Sequence, residues 1–143
     1  MKRNMNLTKA VLIGGMIMVS SLAYAKNDPS EIIRKNKNAI ENLKTGIKSD
    51  NNGLRRSSIY YAGYYGFTET VPALTDQIKK ETDPRTKILI ALVLYKIGDE
   101  KSIDLVKEMA VKDSNPEVRR MCACIYDAYL NGNSSSFSLS VNE

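Results

Sequence analysis

The stretch "DPRTKILIALVLYKIGDEKSIDLV", Asp83 to Val106, decides the fold, because both of its ends recur elsewhere in the chain. Asp83-Pro84-Arg85-Thr86-Lys87 is answered downstream by Asn115-Pro116-Glu117-Val118-Arg119, and Ile97-Gly98-Asp99 is answered upstream by Tyr65-Gly66-Phe67. A shift of 32 positions carries Asp83-Pro84 onto Asn115-Pro116. It also carries Thr86, Ile90, Val93 and Ile97 onto Val118, Cys122, Ile125 and Tyr129, and backward onto Leu54, Ser58, Tyr61 and Tyr65. Each set is spaced four, three and four, which is one stripe of an α-helix. Three copies of such a unit mark a repeat protein.

Each stripe has a partner helix before it. Val71, Leu74 and Ile78 form it in the second unit, Ile103, Val106 and Ala110 in the third, and Ala39 or Ile40, Leu43 and Ile47 in the first. Asp83 and Asn115 are N-cap residue types, and Pro84 and Pro116 follow at the first helical position, where a missing N–H costs nothing. Asn51-Asn52-Gly53 takes that place in the first unit, while Gly66 and Gly98 stand where a helix end needs a positive φ. Upstream, Asp28-Pro29-Ser30-Glu31 reads as a helix start and predicts one long helix from about Pro29 to Lys48. The expected fold is all-α: a short α-α solenoid of three helix pairs over residues 39–130, divided near 39–70, 71–102 and 103–130. Residues 26–38 form the first part of the long capping helix, and residues 131–143, "NGNSSSFSLSVNE", form a polar tail without helical period, expected to be disordered.

The pattern Asp83-Pro84, Lys87, Ala91, Leu94, Ile97-Gly98-Asp99, repeated as Asn115-Pro116-Glu117-Val118-Arg119-Arg120 and Ala123, resembles the short HEAT-like repeats of phycobilisome-lyase type. Leu54-Arg55-Arg56 and Gly63 to Gly66 carry it weakly in the first unit. The resemblance implies a solenoid whose second helices line a concave face. It implies little about function.

Residues 1–25 read as a secretory signal: basic Lys2, Arg3 and Lys9, the apolar run "AVLIGGMIMVSSL", then Ala23-Tyr24-Ala25 before the expected cut. Thirteen apolar residues make a helix of about 20 Å, short of the ~30 Å hydrocarbon core, so a membrane anchor is the weaker alternative. The expected product begins at Lys26, is exported to the periplasm or beyond, and has no membrane span. The leader holds three bases and no acid, so much of the formal charge of +5 leaves with it, and nucleic acid is not an expected partner.

The chain contains no His, the usual base for a Ser or Cys nucleophile and the commonest zinc ligand. "GYYGF" lacks the Lys and the strand-turn-helix setting of a phosphate loop. Neither catalysis nor a cofactor or metal is expected. In Cys122-Ala123-Cys124, helical phase points the two thiols about 200° apart. Register puts Cys122 in the core and leaves Cys124 as the candidate reactive thiol.

Seven tyrosines lie on the second helices. Tyr61, Tyr65 and Tyr129 fall on the core stripe, whereas Tyr60 and Tyr64 fall off it, one turn apart. The same helices carry Arg55, Lys87 and Arg119 one repeat apart, with Arg56 and Arg120 beside them. Two readings of this basic row stand. It forms a binding face with Tyr60 and Tyr64, since Tyr and Arg anchor interfaces, or it is a structural ladder paired with Asp83 and its neighbours at the inter-helix turns. The function expected is a non-catalytic module that binds a protein or an extended, acidic peptide segment. A lyase-like subunit acting through Cys124 or a bound small molecule is the alternative, and a stack that acts by self-association is a third reading.

Overall fold

A computed structural model describes residues 29–140, and no strand occurs among them. The expected signal segment and its expected cleavage site lie outside the described residues. Among the described residues seven α-helices run in order: α1 Pro29–Lys35, α2 Lys37–Ile47, α3 Asn52–Tyr64, α4 Val71–Lys80, α5 Pro84–Ile97, α6 Glu100–Lys112 and α7 Pro116–Ser140. A short 3-10 turn, Thr68–Thr70, precedes α4. The chain divides into two units, 1–37 and 38–143. The repeats belong to the second.

The punctuation predicted from the sequence sets the helix pairs. Asn51, Asp83 and Asn115 stand 32 positions apart, and each side-chain oxygen accepts the N–H three residues on, from Leu54, Thr86 and Val118. Asn51 thus caps as well as the other two. Gly66 and Gly98 take φ of 64° and 76°, the left-handed turn that stops α3 and α5. Pro72 would clash with the carbonyl four residues back, so the chain enters α4 through the 3-10 turn rather than a full α-turn. The third unit has no such proline there, and α6 begins at Glu100, capped by Asp99.

Two layers result. The second helices α3, α5 and α7 pack side by side, and the first helices pack against them. Ile47, Ile59, Leu74, Ile90, Leu94, Val106, Val118 and Cys122 fill the space between and are fully buried. The central helix α5 has neighbours on both sides, so Ile90, Ala91, Val93 and Leu94 are all buried. Gly63 lets α3 close on α5: a Cβ there would stand 2.7 Å from Cγ2 of Val93.

Three expectations are corrected. The helix from Pro29 to Lys48 is two helices, interrupted at Asn36. The Asn36 N–H bonds the Ile33 carbonyl, three residues back rather than four, which tightens and ends the turn. The tail is not structureless from residue 131, since α7 continues to Ser140. No proline interrupts it, and Gly132 does not switch to positive φ. Finally, the stripe of α3 is rotated from the predicted one. Ile59 and Ala62 are fully buried, while Leu54 and Tyr61 are exposed. Ile59 and Ala62 match Ala91 and Leu94 in the next repeat, so the core follows the side of α3 that faces α5.

Candidate interaction face

The basic row is internal wiring. Arg55 on α3 reaches Glu81, the residue that ends α4 in the next repeat, with Nε 2.8 Å from Oε2. The side chains are 13% and 3% exposed. The Nε–H is not directed at that oxygen, so the contact is ionic rather than a hydrogen bond. One repeat on, Lys87 donates to Asp113 at 2.6 Å, again joining a second helix to the end of the next first helix. Arg56 meets Asp83 Oδ2 at 3.2 Å and Thr86 Oγ1 at 3.3 Å. Arg119 donates to the carbonyls of Asp113 and Ser114, just as Arg55 donates to those of Ser49 and Asp50. Of the five basic candidates, Arg120 is the one that is exposed, the other four being partly buried.

The acids of this ladder each do three things. Glu81 and Asp113 end α4 and α6, accept the N–H of the N-cap residue two positions on, Asp83 or Asn115, and meet the base of the preceding repeat. Ser49 holds the same place in the first repeat and accepts the Asn51 N–H. Among the described residues no preceding repeat offers it a base, and a neutral side chain suffices. Burial by itself would raise the carboxyls of Glu81 and Asp113. Hydrogen bonds outweigh it, from the Asp83 N–H and the Gln77 amide at Glu81 and from the Lys87 ammonium and the Asn115 N–H at Asp113. The charges of Arg55, Lys87 and Arg119 add to them, and both carboxyls are held below their ordinary range. The Thr86 hydroxyl, ahead of other partners, does the same for Asp83. Sequence reasoning missed Glu81 and Asp113. Their signal was present: they are 32 positions apart and two before each cap.

The tyrosines are arranged differently. Tyr60 and Tyr64 stack at 5.9 Å between ring centroids, and Tyr61 and Tyr65 at 6.3 Å. Edge contacts of 5.5 Å and 5.0 Å join the two columns, so four rings tile one side of α3. Tyr60, Tyr61 and Tyr64 are 52%, 48% and 58% exposed. Tyr65 stacks on buried Phe67 and roots the array in the core. From α5, the Lys96 ammonium lies 5.6 Å from the Tyr64 ring centre, and Leu92 and Tyr95 are exposed beside it. Tyr60, Leu92 and Cys124 occupy the same position in successive repeats, so an apolar row crosses the second-helix layer. The basic ladder and the tyrosine array therefore do not form the single face that the sequence suggested.

Cys122 is buried and Cys124 exposed, as the register predicts, and no disulfide joins them. Burial, with a contribution from the Asp113 charge, pushes the Cys122 thiol up to about 11. No described helix is long and apolar enough to cross a membrane.

Stacked helix pairs, capped and stopped at 32-residue intervals and tied by a ladder of ion pairs, define a short α-solenoid. The pattern for HEAT repeats matches residues 40–123, and the chain belongs to that family. Repeats of this kind commonly mediate protein interaction. None of the curated proteins and none of the solved structures matches the chain.

Proposed function

We propose that this HEAT-repeat chain is an exported, non-catalytic module that binds another protein, or an extended segment of one, through the outer face of its second helices. The observation that carries this reading is the exposure of Tyr60, Tyr61 and Tyr64 in one tiled array. Aromatic rings held rigid before binding lose little entropy on contact, and Tyr is a preferred interface anchor. Leu92 and Tyr95 extend the array, while Lys96 supplies positive charge for an acidic partner. The export element rests on the leader pattern of residues 1–25, and the repeats fit the short phycobilisome-lyase variety in form, through Asp83-Pro84 and Ile97-Gly98-Asp99. A lyase-like subunit using Cys124 has the exposure of that thiol in its favour. It ranks second because the chain offers no His to deprotonate it.

A photo-crosslinking residue placed at Tyr95, beside the array, tests the reading in extract from the exporting cell. The expected result is a discrete adduct that disappears when Tyr60 and Tyr64 are changed to Ser and survives Lys79→Ala on the first-helix layer. An adduct indifferent to the tyrosines contradicts it.

A further inference from the structure

The third repeat ends the described stack, yet its outer side is not finished as an end. In the first two repeats the second-helix positions facing the next repeat are closed: Ile59, Ala62, Ala91 and Leu94 are fully buried. Their equivalents on α7, Ala123 and Tyr126, are only half-buried, and Leu130, one turn on, is 44% exposed. Two charges flank Ala123. Arg119, four residues before it, is the equivalent of Arg55 and Lys87, but among the described residues it forms no ion pair like those that the two make with Glu81 and Asp113. Its NH1 is held by the Asp113 and Ser114 carbonyls. Asp127, four residues after Ala123, is exposed and enters no ion pair among the described residues.

Base, small residue and acid thus follow at i, i+4 and i+8 on one side of a helix. That order is complementary to itself when the helix is reversed. Four residues span about 6 Å along the axis. A two-fold axis through Ala123 therefore brings Arg119 of each copy level with Asp127 of the other, and a small residue at the crossing lets the helix axes approach. The same operation sets Arg120 opposite Tyr126, whose ring already carries the Lys107 ammonium at 5.4 Å within its own chain, and Leu130 opposite Pro116. A foreign helix bearing only acids would meet Arg119 and repel at Asp127, so the charge pattern selects a second copy.

We propose that two copies of this protein associate through antiparallel α7 helices about a two-fold axis at Ala123, with reciprocal Arg119–Asp127 ion pairs. The tyrosine array lies on α3, two second helices away, and stays open in such a dimer, which carries two binding faces. The association does not depend on what that face binds.

The test is sedimentation analysis of the protein, at the length that the cell leaves it, over a concentration series. The expected result is a reversible dimer weakened by salt. Asp127→Arg sets arginine against arginine at both reciprocal pairs and raises the dissociation constant by about tenfold or more, with an unchanged melting temperature because Asp127 is exposed and enters no ion pair among the described residues. Combining it with Arg119→Asp restores association toward the original, since the swapped pairs match again, and lowers the melting temperature because Arg119 also holds the Asp113 and Ser114 carbonyls, so association is compared below the onset of melting. A protein that is monomeric throughout, a dimer indifferent to Asp127→Arg, or a double variant no better than the single one overturns the proposal.

Discussion

Lys87 and Asp113 meet at 2.6 Å across a repeat boundary, each largely buried, and the contact reproduces Arg55 with Glu81 one repeat earlier. The ladder therefore joins neighbouring repeats through the ends of their helices, while the apolar core joins them through their sides. Because the acid also receives the N-cap backbone, one carboxylate fixes helix end, helix start and repeat spacing together.

This arrangement sets the response to acid. Glu81, Asp83 and Asp113 have carboxyls held below their ordinary range in the folded chain. The unfolded chain therefore takes up protons first as pH falls. The stability these groups contribute is complete above the ordinary carboxylate range and drains away as pH drops below about 4. With no His in the chain, urea midpoints should be level from near pH 8 to about pH 5 and then fall. Asp113→Asn with Glu81→Gln should be less stable at neutral pH and show a shallower acid decline. An equal slope in wild type and variant contradicts the ladder's role.

Two glycine substitutions should have opposite signs. Ala normally favours a helix over Gly by about 1 kcal/mol. Gly132→Ala on α7, where a Cβ meets nothing within 4 Å, should realise that gain. Gly63→Ala drives a Cβ to 2.7 Å from the stiff, β-branched Val93, and overpacking of about 1–3 kcal/mol should outweigh it. Thermal or urea melts of the two variants check the pair.

Truncation of the core should be felt across the whole stack. Ile90 is fully buried on the central helix, and Ile90→Ala should cost about 2–5 kcal/mol in urea unfolding. That is much of what a short solenoid holds in reserve. A loss below about half a kcal/mol would show that the helix register is wrong.

The two thiols should separate cleanly by reactivity. Cys124 is exposed and should react with a maleimide in the native protein, while Cys122 should react only on unfolding. Raised to about 11, the Cys122 thiol stays protonated when folded, so the stability it contributes is present below the ordinary thiol value and is lost as pH rises toward that figure. Peptide mapping after labelling identifies which thiol reacts. A Cys122–Cys124 bridge recovered from it would refute the helix assignment there.

The repeat was legible because its punctuation is chemical. N-cap oxygens and left-handed glycines act locally, so Asn51, Asp83, Asn115, Gly66 and Gly98 could be placed without a fold. The burial of Cys122 and the exposure of Cys124 followed from register alone. The rotation of α3 did not. Tyr61 occupies the same position as buried Val93 and Ile125, but among the described residues no earlier second helix covers α3 on that side, and nothing in the local pattern says which copy comes first. The ladder was half legible. Bases at fixed spacing are visible, but whether they face a partner or an internal acid depends on Glu81 and Asp113 arriving from the next repeat. Asn36 was hidden for another reason: apolar spacing runs through it, and the break lies in a backbone bond.

The central claim is that the tyrosine array binds while the basic ladder holds the fold. It is tested most directly by measuring both quantities, stability in urea and affinity for the captured partner, on Tyr60→Ala, Tyr64→Ala and Arg55→Ala. The account predicts that each tyrosine variant loses about 1–3 kcal/mol of binding with stability nearly unchanged. It predicts that Arg55→Ala, which strands buried Glu81, loses about 1–3 kcal/mol of stability with binding intact. The reverse pattern, tyrosine variants that unfold more easily yet bind as before and an arginine variant that is stable but no longer binds, contradicts it.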